Sequence, residues 1–346
     1  MLGQIRMKLF PIPLPPAGSF KNQVGVVTGG TSGLGLATAA HLVKLGASEV
    51  IITSRNPGRA QTALETLEKE TNGRSKLIVR VVELDMNRYD SVVAFTEEVK
   101  KTRVGTGGVD FLLLNAGLIG VKYTATDEGW EQNLQVNVLS TTLISLLLLP
   151  WMKTERANRS TPAHLAIVGS GQHVSPDLEA WKKWSGSGGV LAHYNEPKNF
   201  QDQIMYCATK LMVAYVASEL VELATGKDGR PEVIINTMCP GMVATDLARH
   251  YKENSLLIRL LIPFLYALIS KTPENGARTL ITAGLTKESE NGKFIRFYGS
   301  DEEYRKQYEK IFMSPTGREV RASVWSEITL ELASKVPSVQ YAVKQS

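Results

Sequence analysis

Short apolar runs alternate with helix-like patterns along most of this 346-residue chain. Runs such as Phe111–Leu114 and Val233–Met238 start with consecutive apolar residues, which is typical of strands buried on both faces of a parallel sheet. Between the runs, apolar residues recur at helical spacing, as at Val92, Phe95 and Val99. The pattern predicts strands at residues 24–28, 50–54, 77–84, Phe111–Leu114, Ala163–Val168, Val233–Met238 and 294–298.

The alternation of strands and helices predicts the fold class. Successive βαβ units build a parallel sheet with helices on both faces. We therefore expect an α/β protein with a single Rossmann-type doubly wound domain, in which a seven-stranded parallel sheet is flanked by helices. Helical stripes at residues 36–47 and 134–148 support this prediction.

Several segments lie outside this alternation. Residues 1–20 form an N-terminal extension before the domain at 21–300, and residues 301–346 form a C-terminal helical extension. An insertion at 174–203 and a lid at 243–272 each follow the end of a predicted strand. Ligands of open α/β sheets bind at the carboxyl ends of the strands, so both segments are expected to border the substrate.

Composition places the chain among ordinary globular proteins, with 43% hydrophobic and 21% charged residues. The net charge of +5 is spread along the chain, without the basic run or zinc spacing of a nucleic-acid binder. We therefore expect no nucleic-acid partner. Cys207 and Cys239 have neither a disulfide pattern nor a metal-ligand spacing, so no metal site is predicted and a reducing, cytoplasmic location fits best.

The most apolar stretch, residues 256–270, tests for a membrane span. It contains Arg259 and Pro263 and is shorter than the ~20 residues that a spanning helix needs. We predict no spanning segment there. Three interpretations stay open, namely a lid over the substrate, a dimer surface and a helix that lies on a membrane surface.

A glycine-rich turn follows the first predicted strand and leads directly into a helix. Glycine permits the tight turn and lets the backbone approach a pyrophosphate without Cβ atoms in the way. The first N–H groups of the helix then face the anion, so this strand–turn–helix context predicts a dinucleotide site. Its candidate residues are Thr28, Gly29, Thr31, Ser32, Gly33, Leu34 and Gly35.

The cofactor choice depends on the end of the second strand. An acidic residue there would accept from a ribose 2′-hydroxyl, whereas an arginine forms a charge-assisted fork with a 2′-phosphate. The chain has Arg55 at this place, which favours NADP(H) over NAD(H). A solvated surface arginine is the alternative.

Tyr206 and Lys210 are spaced so that their side chains share one face of a helix. A free tyrosine has a pKa near ~10, and a neighbouring ammonium favours the phenolate and lowers that pKa. The pair is therefore a candidate general acid/base with its tuning lysine. An ordinary surface pair is the alternative.

The spacing Thr-Gly-x3-Gly-x-Gly, followed by Tyr-x3-Lys, resembles the short-chain dehydrogenase/reductase family over residues 24–299. The resemblance implies an oxidoreductase that moves a hydride between nicotinamide and a carbonyl or alcohol carbon. It implies that Ser170 and Tyr206 polarise the carbonyl, that Lys210 holds the ribose and tunes the tyrosine, and that Asn137 supports a water relay.

The resemblance also implies further cofactor contacts. Asp85 would contact the adenine, and the Asn-Ala-Gly segment would line the adenosine side. The backbone at Val243 would meet the carboxamide, and the Thr245 hydroxyl would contact the carboxamide or the diphosphate. The cofactor contacts implied in this way are Asp85, Asn115, Ala116, Gly117, Tyr206, Lys210, Pro240, Gly241, Val243 and Thr245.

A long insertion separates Ser170 from Tyr206, and residues 181–194 within it are expected to form extra wall over the substrate. The apolar stretch 256–270, followed by Thr272-Pro273-Glu274-Asn275-Gly276-Ala277, resembles the long-substrate branch that includes retinol dehydrogenases, and the chain as a whole resembles fungal secondary-metabolite reductases. The resemblance implies a bulky, lipophilic carbonyl or alcohol substrate, a role in secondary-metabolite biosynthesis, and a homodimer or homotetramer.

Fold alone does not fix function. The alternative is an NADP-binding protein of this fold with a non-redox activity, such as an isomerase or cyclase, or with a sensor role. His173, which lies close to Ser170, is interpreted as a turn-packing residue, with substrate contact as its alternative.

Overall fold

The computed structural model describes residues 2–244 and 270–344. Most of the predicted lid at 243–272, nearly all of the apolar stretch 256–270 and the predicted site residue Thr245 lie outside the described residues. What the sequence suggests for them stays a prediction.

Seven parallel strands form one sheet in the order β3-β2-β1-β4-β5-β6-β7. The predicted α/β fold with a seven-stranded Rossmann-type sheet is confirmed. The strands are β1 Val24–Val27, β2 Glu49–Ser54, β3 Val79–Glu83, β4 Phe111–Leu114, β5 Ala163–Val168, β6 Val233–Met238 and β7 Phe294–Ile295.

Two strands, β3 and β7, are shorter than predicted by more than one residue. β3 begins at Val79 because Leu77 ends a 3₁₀ turn, where its side chain is 94% exposed. β7 ends at Ile295, and the chain then turns so that Arg296 donates hydrogen bonds to the carbonyl oxygens of Tyr298 and Ser300. An apolar side chain on such a turn gives the same sequence signal as one in a strand.

Helices cover both faces of the sheet. Those in the described part of the chain are α1 Leu2–Leu9, α2 Gly33–Lys44, α3 Pro57–Glu70, α4 Tyr89–Lys101, α5 Thr141–Glu155, α6 Leu178–Ser185, α7 Val190–Asn195, α8 Asp202–Ala224, α9 Pro273–Ala283, α10 Asp301–Tyr308, α11 Pro315–Lys335 and α12 Val339–Lys344. α2 packs on α9 on one face, and α5 packs on α4 and α8 on the other.

Each face of the sheet has its own apolar core. Successive strand side chains point to opposite faces, so Leu112 of β4 joins one core and Leu113 joins the other. This explains the continuously apolar strand sequences. Because β1 lies between β2 and β4, the strand order reverses there, and the carboxyl ends of the strands open a ligand cleft at that point.

The long apolar helix before β5 does not start as an α-helix. Leu134–Ser140 is π-helical and continues into α5. Short π-helical segments are rare and are often found at functional sites. This one carries Asn137.

Two segments, Leu134–Asn158 and Asp202–Ala224, are long and apolar enough to cross a membrane by length and composition alone. Within their most apolar windows, 83% and 67% of the residues are buried inside the protein. Both segments therefore act as core helices of this domain.

The N-terminal extension packs on the domain. α1 lies against the turn after β7, since a Cβ on Gly3 would be 3.4 Å from the Tyr298 Cβ. Arg278 of α9 donates to the Ile12 carbonyl oxygen at 3.1 Å. Phe20 is buried with its ring centroid 6.0 Å from that of Phe111.

The C-terminal extension covers the insertion at 174–203. Trp181 and Tyr194 are buried between α8 and α11, and Trp181 Nε1 donates to the Tyr194 hydroxyl at 3.0 Å. Glu327 of α11 accepts hydrogen bonds from the first two N–H groups of α7. These two aromatic rings thus support the C-terminal helices, and a substrate wall formed by the rest of the insertion stays a prediction.

Candidate active site

The turn between β1 and α2 has the geometry of an anion cradle. Gly29 and Gly33 have φ angles of 66° and 54°, and a Cβ on Gly35 would overlap the Gly29 carbonyl oxygen. Ser32 is extended, and its side chain does not cap α2. The first N–H groups of α2 therefore have no side-chain cap and are available to an anionic ligand.

The Asn-Ala-Gly segment after β4 is tied to this turn. The Thr28 hydroxyl accepts from the N–H groups of Asn115 and Ala116, at 2.9 and 3.0 Å. The Asn115 side chain donates back to the Thr28 carbonyl oxygen at 2.9 Å. The segment thus holds the glycine-rich turn against β4, beside the predicted adenosine site.

Arg55 and Asp85, predicted separately for the ribose phosphate and the adenine, lie together. Arg55 Nη1 is 3.6 Å from Asp85 Oδ1 at the carboxyl ends of β2 and β3, and the Arg55 side chain is 56% exposed. Asp85 also accepts from the Asn87 N–H at 3.0 Å. An exposed ion pair is weak, so a phosphate can compete for this guanidinium.

The predicted pair on α8 is brought together at the other side of the cleft. Lys210 Nζ lies 5.6 Å from the Tyr206 ring centroid and donates to the Val168 carbonyl oxygen at 2.8 Å. Removal from water lowers the pKa of Lys210 to about 8. The ammonium is thereby fixed between the catalytic tyrosine candidate and the end of β5.

Ser170 follows β5 and borders the same space. Its hydroxyl accepts from the Gln172 N–H at 3.2 Å and caps a short 3₁₀ turn. His173 in that turn holds the Ser170 carbonyl oxygen through Nδ1 at 2.6 Å and packs edge-on against Phe294. Burial lowers the pKa of His173, so the geometry agrees with the turn-packing interpretation of this histidine.

Asn137 connects the loop after β4 to α8. Its Oδ1 accepts from the Leu118 N–H and its Nδ2 donates to the Leu118 carbonyl oxygen, both at 2.9 Å. The same Nδ2 lies 3.3 Å from the Thr209 hydroxyl, next to Lys210 in sequence. The side chain is therefore a clamp between two parts of the site, and the predicted water relay stays a prediction.

The segment after β6 offers backbone groups to a ligand. Lys271 N–H donates to the Met242 carbonyl oxygen at 3.0 Å, and the Ala244 N–H donates to the Lys271 carbonyl oxygen at 2.9 Å. In such a parallel bridge the N–H and C=O of Val243 point to the opposite edge. They are thus oriented away from Lys271, as the predicted carboxamide contact requires.

Three residues of this region were missed in the sequence. Cys239, just before Pro240, is a common electrostatic neighbour of Lys210 and Lys271. The Tyr298 hydroxyl lies against Cys239 and would be 2.5 Å from a Cβ on Gly171. Lys271 and Tyr298 lie next to the predicted site residues only in space, and Cys239 directly precedes Pro240 but belongs to no motif, so local spacing held no signal for any of the three.

A cavity of about 230 Å³ opens beside Ser170 and Lys210. It runs between α8 and the β6–β7 edge toward the aromatic side chains of the C-terminal extension. Its mixed lining includes Thr237, Ser218 and Tyr304. The volume is enough for several water molecules.

The comparisons with known proteins agree with this geometry. Residues 23–171 match the sequence profile of the short chain dehydrogenase family. The short-chain dehydrogenase/reductase ffsI of Aspergillus flavipes is 30% identical over 96% of this chain and 93% of its own length. The short chain dehydrogenase yanD of Aspergillus niger is 30% identical over 93% of this chain and 94% of its own length.

Two solved structures share the fold. A dehydrogenase/reductase of Burkholderia phymatum in complex with NAD has a TM-score of 0.56 at 20% identity, covering 80% of this chain and 89% of that chain. A dehydrogenase of Sphingobium yanoikuyae in complex with NADPH has a TM-score of 0.52 at 15% identity, covering 75% of this chain and 83% of that chain.

The chain belongs to the short-chain dehydrogenase/reductase family. It is therefore an oxidoreductase of a family that binds a nicotinamide cofactor and acts on small molecules.

Proposed function

We propose that the protein is an NADP(H)-dependent ketoreductase or alcohol dehydrogenase for a bulky, apolar carbonyl or alcohol, with a role in secondary-metabolite biosynthesis. The observation that carries the reaction type is the ammonium of Lys210, 5.6 Å from the Tyr206 ring centroid and hydrogen-bonded at the end of β5, two residues before Ser170. The fungal relatives support the biosynthetic context.

The cleft fits a dinucleotide phosphate. The N-terminus of α2 has no side-chain cap, and the turn before it has no room for a Cβ at Gly35. Arg55 is exposed at the end of β2, where its guanidinium can take a 2′-phosphate in place of Asp85. When bound, the nicotinamide supplies or accepts the hydride.

The chain's own residues handle the substrate oxygen and its proton. The Ser170 and Tyr206 hydroxyls donate hydrogen bonds to the carbonyl oxygen. In the reduction direction Tyr206 gives its proton to that oxygen as general acid, and the Lys210 ammonium stabilises the phenolate left behind. A proton from solvent restores the tyrosine, so protons balance over one turnover.

The test is an assay of purified protein with NADPH or NADH and a panel of aliphatic, aromatic and polycyclic ketones. We expect oxidation of NADPH with at least one bulky ketone, measured as the loss of absorbance of the reduced nicotinamide. Tyr206→Phe should lower kcat by at least about 100-fold while NADPH still binds. Turnover retained in Tyr206→Phe would contradict the proposed proton donor.

A further inference from the structure

Lys271 lies beside the segment after β6 that offers backbone groups to the predicted cofactor. It directly precedes the Thr272 cap of α9, and its backbone pairs with Met242 and Ala244 on either side of Val243. Val243 in turn packs with Gly276 against Leu34 in the first turn of α2, since a Cβ on Gly276 would be 2.7 Å from both side chains. The backbone of Lys271 is therefore connected through Val243 and Gly276 to the first turn of α2, which begins at the anion cradle.

The Lys271 side chain is buried, and no carboxylate of residues 2–244 and 270–344 pairs with its ammonium. It is 3% exposed, and nothing in residues 2–244 and 270–344 lies within hydrogen-bond or ion-pair distance of its ammonium. Desolvation lowers the pKa of Lys271 to about 8. Burying an ammonium costs free energy of folding unless the charge is paired. A ligand of opposite charge would therefore offset the cost at Lys271.

The surrounding charges show which ligand would fit. The carboxylate nearest along the chain, Glu274, is paired with Arg278 and His41. Lys210 shares the neighbour Cys239 with Lys271, so two ammonium groups act on one region. The uncapped N-terminus of α2 adds positive potential at the anion cradle. The charges of the described residues therefore favour an anion as the ligand of this ammonium.

We propose that Lys271 binds a phosphate oxygen of the dinucleotide, on the nicotinamide side of the diphosphate. The proposal rests on the proposed function, and it adds a cofactor-binding residue that belongs to no motif of the cradle. The dinucleotide is favoured over a substrate anion as the source of the oxygen, because the path from Lys271 through Val243 leads to Leu34 and because the proposed substrate is apolar.

The test compares the full-length protein with its Lys271→Met variant, which keeps the length and apolar stem of the side chain. Dissociation constants for NADPH and for 2′,5′-ADP, which lacks the nicotinamide-side phosphate, are measured by calorimetry without substrate. We expect NADPH to bind about 10- to 100-fold more weakly and 2′,5′-ADP to bind equally well. Lys293→Met, on an exposed lysine paired with Glu290, should change neither value.

A melting experiment separates this role from a structural one. Removing an unpaired buried charge should leave the melting temperature of the free Lys271→Met variant equal to the wild-type value or higher, while the stabilisation by NADPH shrinks. A lower melting temperature with equal weakening of both ligands would show a structural role and overturn the proposal. Unchanged NADPH affinity combined with a raised KM for an acidic ketone would assign Lys271 to the substrate and overturn it as well.

The two proposals fail separately. If wild-type protein binds NADPH but reduces no ketone, the proposed function fails, and the comparison of the two dissociation constants still decides the role of Lys271. If Tyr206→Phe abolishes turnover while Lys271→Met leaves NADPH binding unchanged, the function stands and only this inference is wrong.

Discussion

Lys210 and Lys271 lie in surroundings that disfavour their charged forms. Burial lowers the pKa of Lys210 and that of Lys271 to about 8 each, whereas an unfolded lysine titrates near ~10.4. Between these values the unfolded chain binds more protons than the folded one, so stability rises with pH there. In the cofactor-free protein these two buried ammonium groups therefore lower the free energy of unfolding.

This predicts the pH dependence of stability for the cofactor-free protein. The free energy of unfolding should increase from about pH 8 to about pH 10, by roughly 2 kcal/mol for each lysine. Chemical denaturation at a series of pH values measures this slope, and Lys271→Met should reduce it by about half. A slope that is the same in the variant would mean that Lys271 titrates normally.

The proposed preference for NADPH rests on another charged residue, Arg55. Arg55→Ala should raise the KM for NADPH by about 10- to 100-fold, because a charge-assisted contact to the 2′-phosphate is lost. The KM for NADH should change little. Arg74→Ala is the control, since this exposed arginine lies at the opposite end of β3. An equal loss for both cofactors would assign Arg55 to the shared part of the dinucleotide.

At the scale of elements, the turn into α2 depends on one close approach. Gly35 faces the Gly29 carbonyl oxygen so closely that any Cβ must displace the turn. Gly35→Ala should therefore weaken cofactor binding strongly and lower the melting temperature. Gly186→Ala is a suitable comparison, because its nearest contact would be an ordinary 3.7 Å. Titration of both variants with NADPH checks the prediction, and equal affinities would contradict it.

The start of α7 depends on a residue far along the chain. Glu327 accepts from the N–H groups of Val190 and Leu191, at 3.0 and 2.8 Å. Glu327→Ala leaves these donors without that partner, so the free energy of unfolding should fall by about 1–3 kcal/mol. Glu319→Ala on the same helix, which removes only an exposed pair with Lys182, should cost less than about 1 kcal/mol. Denaturation curves for the two variants give the comparison.

At the scale of the whole molecule, the C-terminal helix α11 closes one side of the domain. Ile328 lies on its inner face, fully buried against the core, whereas Leu330 is 68% exposed on the same helix. Ile328→Asp should detach α11 and expose the apolar face of α8, which raises dye binding and self-association. Leu330→Asp should leave both unchanged. Size-exclusion chromatography with light scattering, with a hydrophobic dye, measures the outcome.

Much of the fold was predictable because its signals are local. Strands such as Phe111–Leu114 are buried on both faces, and the pair of Tyr206 and Lys210 falls on one helix with the spacing that its chemistry needs. The burial of α11 against the insertion was harder to predict from the sequence, although Val320, Val324 and Ile328 recur every four residues. That period predicts a buried face, and it does not say that the face covers an inserted segment.

Lys271 and Tyr298 could not be found in this way. Their positions follow from how the end of β6, the start of α9 and the turn after β7 converge in space, and no short pattern encodes that convergence. The same holds for the pairing of Arg55 with Asp85, since each was predicted on its own strand and only the sheet brings them together.

The cavity beside Lys210 gives the site a second entrance. It reaches from Ser170 and Lys210 along α8 to the exposed residues Glu222 and Gly292, away from the cradle that the dinucleotide would fill. Water can therefore reach the Lys210 ammonium through this cavity and exchange protons with it, even when cofactor and substrate fill the other side of the site. The proton that restores Tyr206 can then be taken from solvent before the cofactor leaves.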